Sequence, residues 1–477
     1  MVMKKRIISL IATAAMLVCT TDSFSASLNV SSEASEWKFD FGGNGTASGY
    51  TGVSASDAYN ASNGYGFNKT SAVKNVSASG SGALSDAVQF TEYGSDSTNT
   101  FNVDLPVGLY EISVVLGNTS SNTNIAAEGV PQLINLTGNN ATNKFKIPVT
   151  DGQLNILATE GINAFSFGFG SSAFTLSTLE IKKLSDDPTM PQTIWICGDS
   201  TICDYYPLET SVQTGWGQVL NQYTDIDIRN LASSGQTATG YISAKAFDTV
   251  MKYIKKGDYY LIAIGINDSF FGKESDYYAA VSDMTKKVKE KGAEVILIKQ
   301  QGLADDIVTN PNITEKWFGS TLDKIGREQS VKVCDLFNLS FAYWKSIGAT
   351  ATRAQFISTD TIHPNRTGAI ELARLFASDV ELVKTVEVTT TTTTTSETTT
   401  STFEEIKYLY GDVNLDGIVT PSDLMPFIAH FLNIPLQGTA LLVADVNGDG
   451  SVDISDLATL KQYCVGDTVP NVGKPLK

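Results

Sequence analysis

Pro191-Gln-Thr193-Ile-Trp-Ile-Cys197-Gly-Asp-Ser200-Thr201 is the stretch on which the fold of this chain turns. Thr193 to Cys197 is a short apolar, β-branched run, closed by Pro191 before it and Gly198-Asp-Ser-Thr after it. Such a run reads as a buried strand ending in a tight turn. In an α/β sheet, ligands bind beyond the carboxyl ends of the strands, so Ser200 is well placed to attack one. A polar Gly-Asp-Ser-Thr turn taken alone is commonplace, and Ser200 gains interest only from the segments downstream of it.

Two further strand ends carry suitable chemistry. Asp225-Ile-Asp-Ile228 leads into Arg229-Asn-Leu-Ala-Ser-Ser-Gly235-Gln, and Tyr259-Tyr-Leu-Ile-Ala-Ile264 leads into Gly265-Ile-Asn267-Asp268. A glycine beyond a strand lets its N–H approach a ligand with no side chain in the way. An asparagine amide can donate to an oxyanion. The chain holds two histidines, His363 in Asp360-Thr-Ile-His363-Pro364 and His430 in an acidic C-terminal segment. Histidine is the usual general base near neutral pH, and a carboxylate three residues before it can fix the ring's tautomer. An amphipathic stretch (277–291), the strand Glu294–Ile298, a helix over about 315–329, the strand Val331–Asp335 and a helical run from Thr367 complete the region. That βα alternation implies a parallel sheet with right-handed crossovers.

In this order the four blocks resemble the SGNH (GDSL-like) hydrolase superfamily over roughly residues 191–385. The resemblance implies Ser200 as nucleophile, His363 as base and Asp360 as its orienting carboxylate. It also implies an oxyanion hole from the Ser200 N–H, the Gly235 N–H and the Asn267 side chain, with no cofactor for catalysis. Gly198-Asp-Ser-Thr-Ile-Cys-Asp204-Tyr-Tyr206, Gly215-Trp-Gly-Gln218, and Asp360-Thr-Ile-His-Pro-Asn365 with Gly368 are similar to the rhamnogalacturonan acetylesterases of carbohydrate esterase family 12. That kinship implies removal of O-acetyl groups from pectic rhamnogalacturonan, with acetylated xylan or another acetylated plant cell-wall polysaccharide as the alternative. Trp216 is expected in the core.

The chain's 477 residues, 42 % hydrophobic, allow several domains with real cores. Lys4-Lys5-Arg6, an apolar run from Ile7 to Val18 and small residues around Ser25-Ala26-Ser27 read as a secretory signal peptide over 1–26. No later stretch is long and apolar enough to span a bilayer, so an exported protein is expected. The formal net charge of −17 becomes −19 once residues 1–25 take away Lys4, Lys5, Arg6 and Asp22. This disfavours nucleic acid and anionic membrane as partners. A polyuronate substrate would need a basic cleft, for which Lys245, Lys273, Lys299, Arg353 and Arg366 are candidates. The five cysteines match neither a disulfide framework nor a zinc site. Cys197 and Cys334 are expected as packing residues, and no Cys197–Cys203 bond is expected.

Residues 36–185 are rich in Ser, Gly, Asn and Thr, with short alternating strands such as Thr100–Leu105, Leu109–Val115 and Phe174–Ile181. An all-β sandwich is expected. Lys38-Phe-Asp-Phe-Gly42, Gly49-Tyr-Thr-Gly52 and Gly64-Tyr-Gly-Phe67 resemble modules that precede family-12 esterase domains. Two roles stay open: carbohydrate binding, with Tyr50, Tyr65 and Phe67 as stacking platforms, or completion of the catalytic fold.

From Thr389 to Thr402 the chain is almost all threonine, so an exposed linker is expected over 387–407. Beyond it two acidic loops repeat 33 residues apart. Asp412, Asn414, Asp416, Ile418 (through its carbonyl), Thr420 and Asp423 form one, and Asp445, Asn447, Asp449, Ser451, Asp453 and Asp456 the other. Clustered oxygens at this spacing, with Gly417 and Gly450 at the sharp turn, suit calcium. Helices are expected after each loop (424–432 and 457–465) and before neither. The pair over 408–477 resembles a dockerin, which implies two calcium ions and docking to a cohesin of a scaffold protein in a cellulosome-type complex. Pro421, Ser422, Ile454 and Ser455 then become partner contacts, and His430 a surface or interface residue. The expected architecture is therefore multidomain: a β-sandwich, an α/β/α SGNH-type hydrolase and a small α-helical dockerin. The competing function class is a non-catalytic carbohydrate-binding subunit.

Overall fold

The computed structural model describes residues 35–92, 99–117, 122–161, 174–206, 211–382, 409–413, 419, 423–431, 436, 438–464 and 469–474. The expected signal peptide, the threonine linker, Cys19, Asn414, Asp416, Gly417, Ile418, Thr420, Pro421 and Ser422 lie outside the described residues.

The N-terminal region is all β, as its alternation predicts. Its strands are β1 (Glu36–Phe41), β2 (Thr51–Val53), β3 (Tyr65–Phe67), β4 (Val73–Ser77), β5 (Asp86–Phe90), β6 (Phe101–Asp104) and β7 (Gly108–Val115). There follow β8 (Thr123–Ala127), β9 (Val130–Leu136), β10 (Thr142–Val149), β11 (Gln153–Glu160), β12 (Phe174–Leu176) and β13 (Thr178–Ser185). One sheet runs β10-β7-β13-β1-β2, and β12-β5-β4 make a smaller one. β6 pairs antiparallel with both β3 and β11. The stretch 174–181, expected as one strand, is two. Ser177 interrupts it, its hydroxyl donating to the Asp86 carbonyl at 2.8 Å, so β12 joins β5 while β13 joins β7 and β1. Phe67 is buried against Phe101 (centroids 5.2 Å apart) and Tyr65 packs on Phe39 at 5.2 Å, while the Tyr50 hydroxyl donates to Glu180. Tyr65 and Phe67 thus spend their faces on other aromatic rings of this region.

Packing does not follow chain order. Described residues within 1–119, 139–158 and 173–190 form one compact unit, whereas those within 120–138 and 159–172 cluster with the chain from 191 onward. The β8–β9 hairpin thus belongs with the hydrolase. Buried Arg229 donates to the Gln132 side-chain oxygen at 2.5 Å, and the Thr249 hydroxyl donates to the Pro131 carbonyl at 2.7 Å. Burial pulls the Arg229 pKa down to about 10.

The hydrolase is a five-stranded parallel sheet in the order β15-β14-β16-β17-β18. Its strands are β14 (Thr193–Gly198), β15 (Asp227–Asn230), β16 (Tyr259–Ala263), β17 (Glu294–Ile298) and β18 (Lys332–Cys334). β14 explains why the run at 193–197 is apolar throughout. Ile194 and Ile196 enter a core with Trp216, Trp344 and Phe376, while Trp195 and Cys197 enter the opposite core with Tyr241, Tyr260 and Val281. Side chains of a strand alternate faces, so a strand covered on both sides must be apolar at every position. The helices are α1 (Ala238–Ser243), α2 (Ala246–Tyr253), α3 (Ile266–Phe271), α4 (Glu274–Glu290), α5 (Asp306–Thr309), α6 (Gly319–Gln329), α7 (Leu336–Arg353) and α8 (Arg366–Val380). α6 starts later than expected, because Trp317 and Phe318 take left-handed φ of 55° and 59°. The chain leaves β14 for β15 on one side and continues to β16 on the other, so strand order reverses at β14. That switch point is where a parallel sheet opens a crevice.

The C-terminal segment holds α9 (Leu424–Phe431), α10 (Gly438–Ala444) and α11 (Ile454–Cys464) around Val413, Phe427, Val446 and Leu460. Here one expectation fails, since α10 directly precedes the second acidic loop. Val443 and Ala444 are buried, and that burial stabilises a helix too short to signal itself by periodicity. His430 Nδ1 accepts the Leu436 N–H at 3.1 Å. Cys197, Cys203, Cys334 and Cys464 are free thiols.

Candidate active site

Each candidate residue sits just past a strand end or on the loop before α8. Ser200 follows β14 and is 7 % exposed. His363 Nε2 lies 2.9 Å from Ser200 Oγ, and His363 Nδ1 lies 2.9 Å from Asp360 Oδ2. A carboxylate only accepts, so Nδ1 carries the proton and Nε2 is left as acceptor for the serine hydroxyl. Asp360 Oδ1 also accepts the N–H groups of Ile362 and His363, both at 2.9 Å. Burial alone would raise the Asp360 pKa, but the bonds from His363 and Ile362 outweigh it and hold the carboxyl below its ordinary value. The arrangement supplies a hydroxyl, a base aimed at it and an ionised group that fixes the base.

The oxyanion candidates converge through one turn. Ser233 N–H donates to the Gly198 carbonyl at 3.1 Å, and Gln236 N–H returns to the Ser233 carbonyl at 3.2 Å. Gly235 sits inside this turn at φ 74°, a value that favours glycine. Asn267, on α3, is 8 % exposed and donates through Nδ2 to the Gln236 carbonyl at 3.0 Å. Its amide has a second N–H to offer.

The residues that carry the narrower resemblance hold the serine loop. Gln218 clamps Tyr205 by both backbone groups, donating to its carbonyl at 2.6 Å and accepting its N–H at 3.1 Å. The Tyr205 hydroxyl donates to the Ser200 carbonyl at 2.7 Å. Asp204 accepts from Asn230 at 2.7 Å, and Trp216 is fully buried against Phe376. Asn365 caps α8 by accepting the Gly368 N–H at 3.2 Å. A Cβ at Gly368 would lie 2.1 Å from the Gln355 carbonyl oxygen. Among the basic candidates, Lys299 is paired with Asp323 (2.6 Å) and Asp335 (3.5 Å). Arg353 donates to the carbonyls of Ile357 (2.7 Å) and Ser358 (2.9 Å), bracing the loop that leads to Asp360. Lys245 and Lys273 precede α2 and α4, and Arg366 opens α8.

In the second acidic loop Asp445 accepts the N–H groups of Gly448 (2.8 Å), Asp449 (3.1 Å) and Gly450 (2.9 Å). Asp456 accepts those of Asn447 (3.0 Å) and Asp453 (3.1 Å), and Asp449 accepts that of Ser451 at 2.9 Å. Among the described residues no three His, Cys, Asp or Glu side chains are gathered into a ready metal cage. The donors nonetheless fit a hard cation in kind: every one is an oxygen, and Asn447 and Ser451 add neutral ones. Ile454 and Ser455 are exposed at the start of α11. Of the first loop, Asp412 and Asp423 are described, and both are buried.

The model of the GDSL-like lipase/acylhydrolase family matches residues 196–369. The uncharacterized esterase YxiM of Bacillus subtilis is 46 % identical over 357 residues, which is 73 % of this chain and 91 % of YxiM. This chain belongs to the GDSL-like lipase/acylhydrolase family. The crystal structure of YxiM superposes with a TM-score of 0.69 over 72 % of this chain and 98 % of that one. Two further families match on either side of the hydrolase. One is the beta-agarase/YXIM esterase-like, galactose-binding domain-like family, over residues 37–182, and the other is the type I dockerin domain, over residues 410–464. A rhamnogalacturonan acetylesterase of Emericella nidulans is 30 % identical over 94 residues, covering 20 % of this chain and 36 % of that protein.

Several residues of this GDSL-like site escape sequence reading. Asp199 is fully buried and its pKa is raised by desolvation, while Gln300 donates to it at 2.9 Å and accepts the Ile266 N–H at 3.2 Å. Gln300 thereby ties the serine loop to the start of α3. Asp268 accepts the Ala238 N–H at 2.9 Å at the start of α1, and burial lifts its pKa to about 6. Gln300 lies just past β17, so the strand-end rule that found Ser200 and Asn267 could have found it too. Asp268 stands beside Asn267, but nothing local marks it as buried.

Proposed function

We propose that this GDSL-like hydrolase is a secreted carbohydrate esterase that removes O-acetyl groups from pectic rhamnogalacturonan through Ser200, His363 and Asp360. The observation that carries the reading is the continuous Ser200–His363–Asp360 hydrogen-bonded relay at the sheet's switch point. Ser200 Oγ attacks the acetyl carbonyl carbon while His363 Nε2 takes its proton. Asp360 stabilises the imidazolium and keeps the ring's orientation. The negative oxygen of the tetrahedral intermediate is met by the N–H groups of Ser200 and Gly235 and the free Asn267 N–H, each donor worth about 2.7–4 kcal/mol in the transition state. Collapse breaks the bond to the sugar oxygen, which leaves with the proton from His363. Water, activated by the same imidazole, then releases acetate and regenerates Ser200.

A second reading, deacetylation of xylan or another neutral glycan, is favoured by the same details. The Asp204, Tyr205, Gln218 and Trp216 set is consumed in supporting the loop, and Lys299 and Arg353 are bonded internally. Acetate release from acetylated rhamnogalacturonan and acetylated xylan, at equal acetyl concentration and rising salt, tests the choice. Salt weakens the binding of a polyuronate held by basic residues, so acetate release from rhamnogalacturonan should slow as salt rises. Faster, salt-insensitive release from xylan overturns the pectic assignment.

The C-terminal region completes the proposal as a dockerin that binds two calcium ions and then a scaffold cohesin. Support comes from the oxygen donors of the second loop and from Ile454 and Ser455, exposed where a partner would meet α11. Pro421 and Ser422 would take the equivalent places in the first copy. When bound, calcium supplies the positive charge that lets the loop carboxylates sit together.

A further inference from the structure

The turn that presents Gly235 is fastened at both ends. Asn267 holds the far end through the Gln236 carbonyl. The near end is held from outside the α/β sheet, where the Asn135 amide donates to the Ser233 hydroxyl. Asn135 lies in β9 with a left-handed φ of 51°, a conformation that asparagine tolerates better than most residues. Its N–H donates to the Asn124 side chain at 2.9 Å. Space for its amide depends on Gly161, where a Cβ would stand 2.2 Å from Asn135 Oδ1. The hairpin beneath it is anchored independently by Arg229 and Thr249. A backbone suited to few side chains, a glycine that clears room for the amide and a bond ending on the oxyanion turn all point one way.

We infer that Asn135 is a positioning residue for the oxyanion hole, acting through Ser233 on the turn that carries the Gly235 N–H. The inference rests on the proposed serine-esterase reading. It gives part of the galactose-binding-like region a share in the catalytic step. Oxyanion donors work only at about 2.7–3.1 Å from the developing charge, and a displacement of about 1 Å can cost about 10²-fold in rate. Loosening the Ser233 end of the turn should therefore lower kcat and leave KM nearly alone.

The test uses the full chain and p-nitrophenyl acetate. Asn135→Gly keeps the left-handed backbone and removes the amide, and kcat should fall roughly 10-fold with KM within about twofold. Ser233→Ala should lose as much, and the double variant no more than the worse single one, because both remove the same bond. Asn135→Asp can accept from the Ser233 hydroxyl with the roles reversed, so it should recover part of the loss. Thr249→Val removes a hairpin anchor elsewhere, and should lower Tm while keeping kcat. Wild-type kcat in Asn135→Gly overturns the inference. So do multiplicative losses in the double variant, or an equal kcat loss in Thr249→Val. Should Asn135→Gly fail to fold, Ser233→Ala removes the same bond, and wild-type kcat in it overturns the inference. Failure of the underlying reading is recognised separately, by a Ser200→Ala protein that still hydrolyses the ester.

Discussion

Asp360 and Asp456 are alike in local chemistry, each accepting two backbone N–H groups, yet their pKa values move in opposite directions. Burial raises both. At Asp360 the bonds from His363 and Ile362 overcome it and the pKa falls. At Asp456 the N–H bonds are outweighed by burial together with the charges of Asp445 and Asp449, and the pKa rises. The difference lies in the neighbours: one carboxylate faces an imidazole, the other faces carboxylates. The first site contains its own partner for the charge. The second gathers like charges, which the proposed calcium ion would offset.

The largest test of that contrast is at the self-sufficient site. Ser200→Ala and His363→Ala should each cost roughly 10⁴-fold or more in kcat, and the pair together little beyond either alone, since they act as a unit. Asp360→Asn should cost about 10⁴-fold, by leaving the ring in the wrong tautomer. Because the Asp360 pKa is held down, its charge persists through the pH range in which a histidine titrates. Activity should then fall with acid along a single limb, because a protonated imidazole cannot accept from a serine hydroxyl. Assays with p-nitrophenyl acetate across pH measure all three, and a variant near wild-type rate would break the comparison.

The proposed calcium site should respond to the opposite treatment. Chelation should abolish binding of the full chain to a cohesin, and restored calcium should recover it, because metal binding and local folding are linked. Asp449→Ala removes one donor of the second loop and should weaken docking, while ester hydrolysis stays within about twofold, since the catalytic relay uses none of these residues. Calorimetry with calcium and a cohesin pull-down check it. Docking that survives chelator would show that these carboxylates need no cation, and the contrast with Asp360 would lose its meaning.

What the sequence makes legible divides along the same line. Ser200, Gly235, Asn267 and the Asp360/His363 pair stand out because each interrupts a strongly patterned element at its end. Gln300 shares the strand-end position, just past β17, but its importance, like that of Asp268, comes from burial between segments far apart in the chain. The exchange of the β8–β9 hairpin into the hydrolase unit is invisible for a related reason. Strand periodicity tells which face is buried, but not against which partner. Helix α10 escapes because seven residues are too few to show a helical period, and only tertiary packing holds it.

Asp268 offers the smallest effect and the finest test of how neighbours decide a carboxylate's fate. It is 4 % exposed and accepts the Ala238 N–H, and the nearby charge of Asp199 adds to the rise that burial causes. With a folded pKa of about 6 against an ordinary value of 3.8, the native state holds a proton that the unfolded chain releases. Its contribution to stability is therefore complete below about pH 4 and is lost as pH rises through about 6. Asp268→Asn keeps an oxygen to accept the Ala238 N–H and cannot ionise. The variant should lack that loss, gaining on the order of 2 kcal/mol over wild type at pH 7 relative to pH 4. Denaturant midpoints measured at both pH values decide it. An unchanged pH dependence would mean that Asp268 stays charged in the fold, held by its bonds despite its burial.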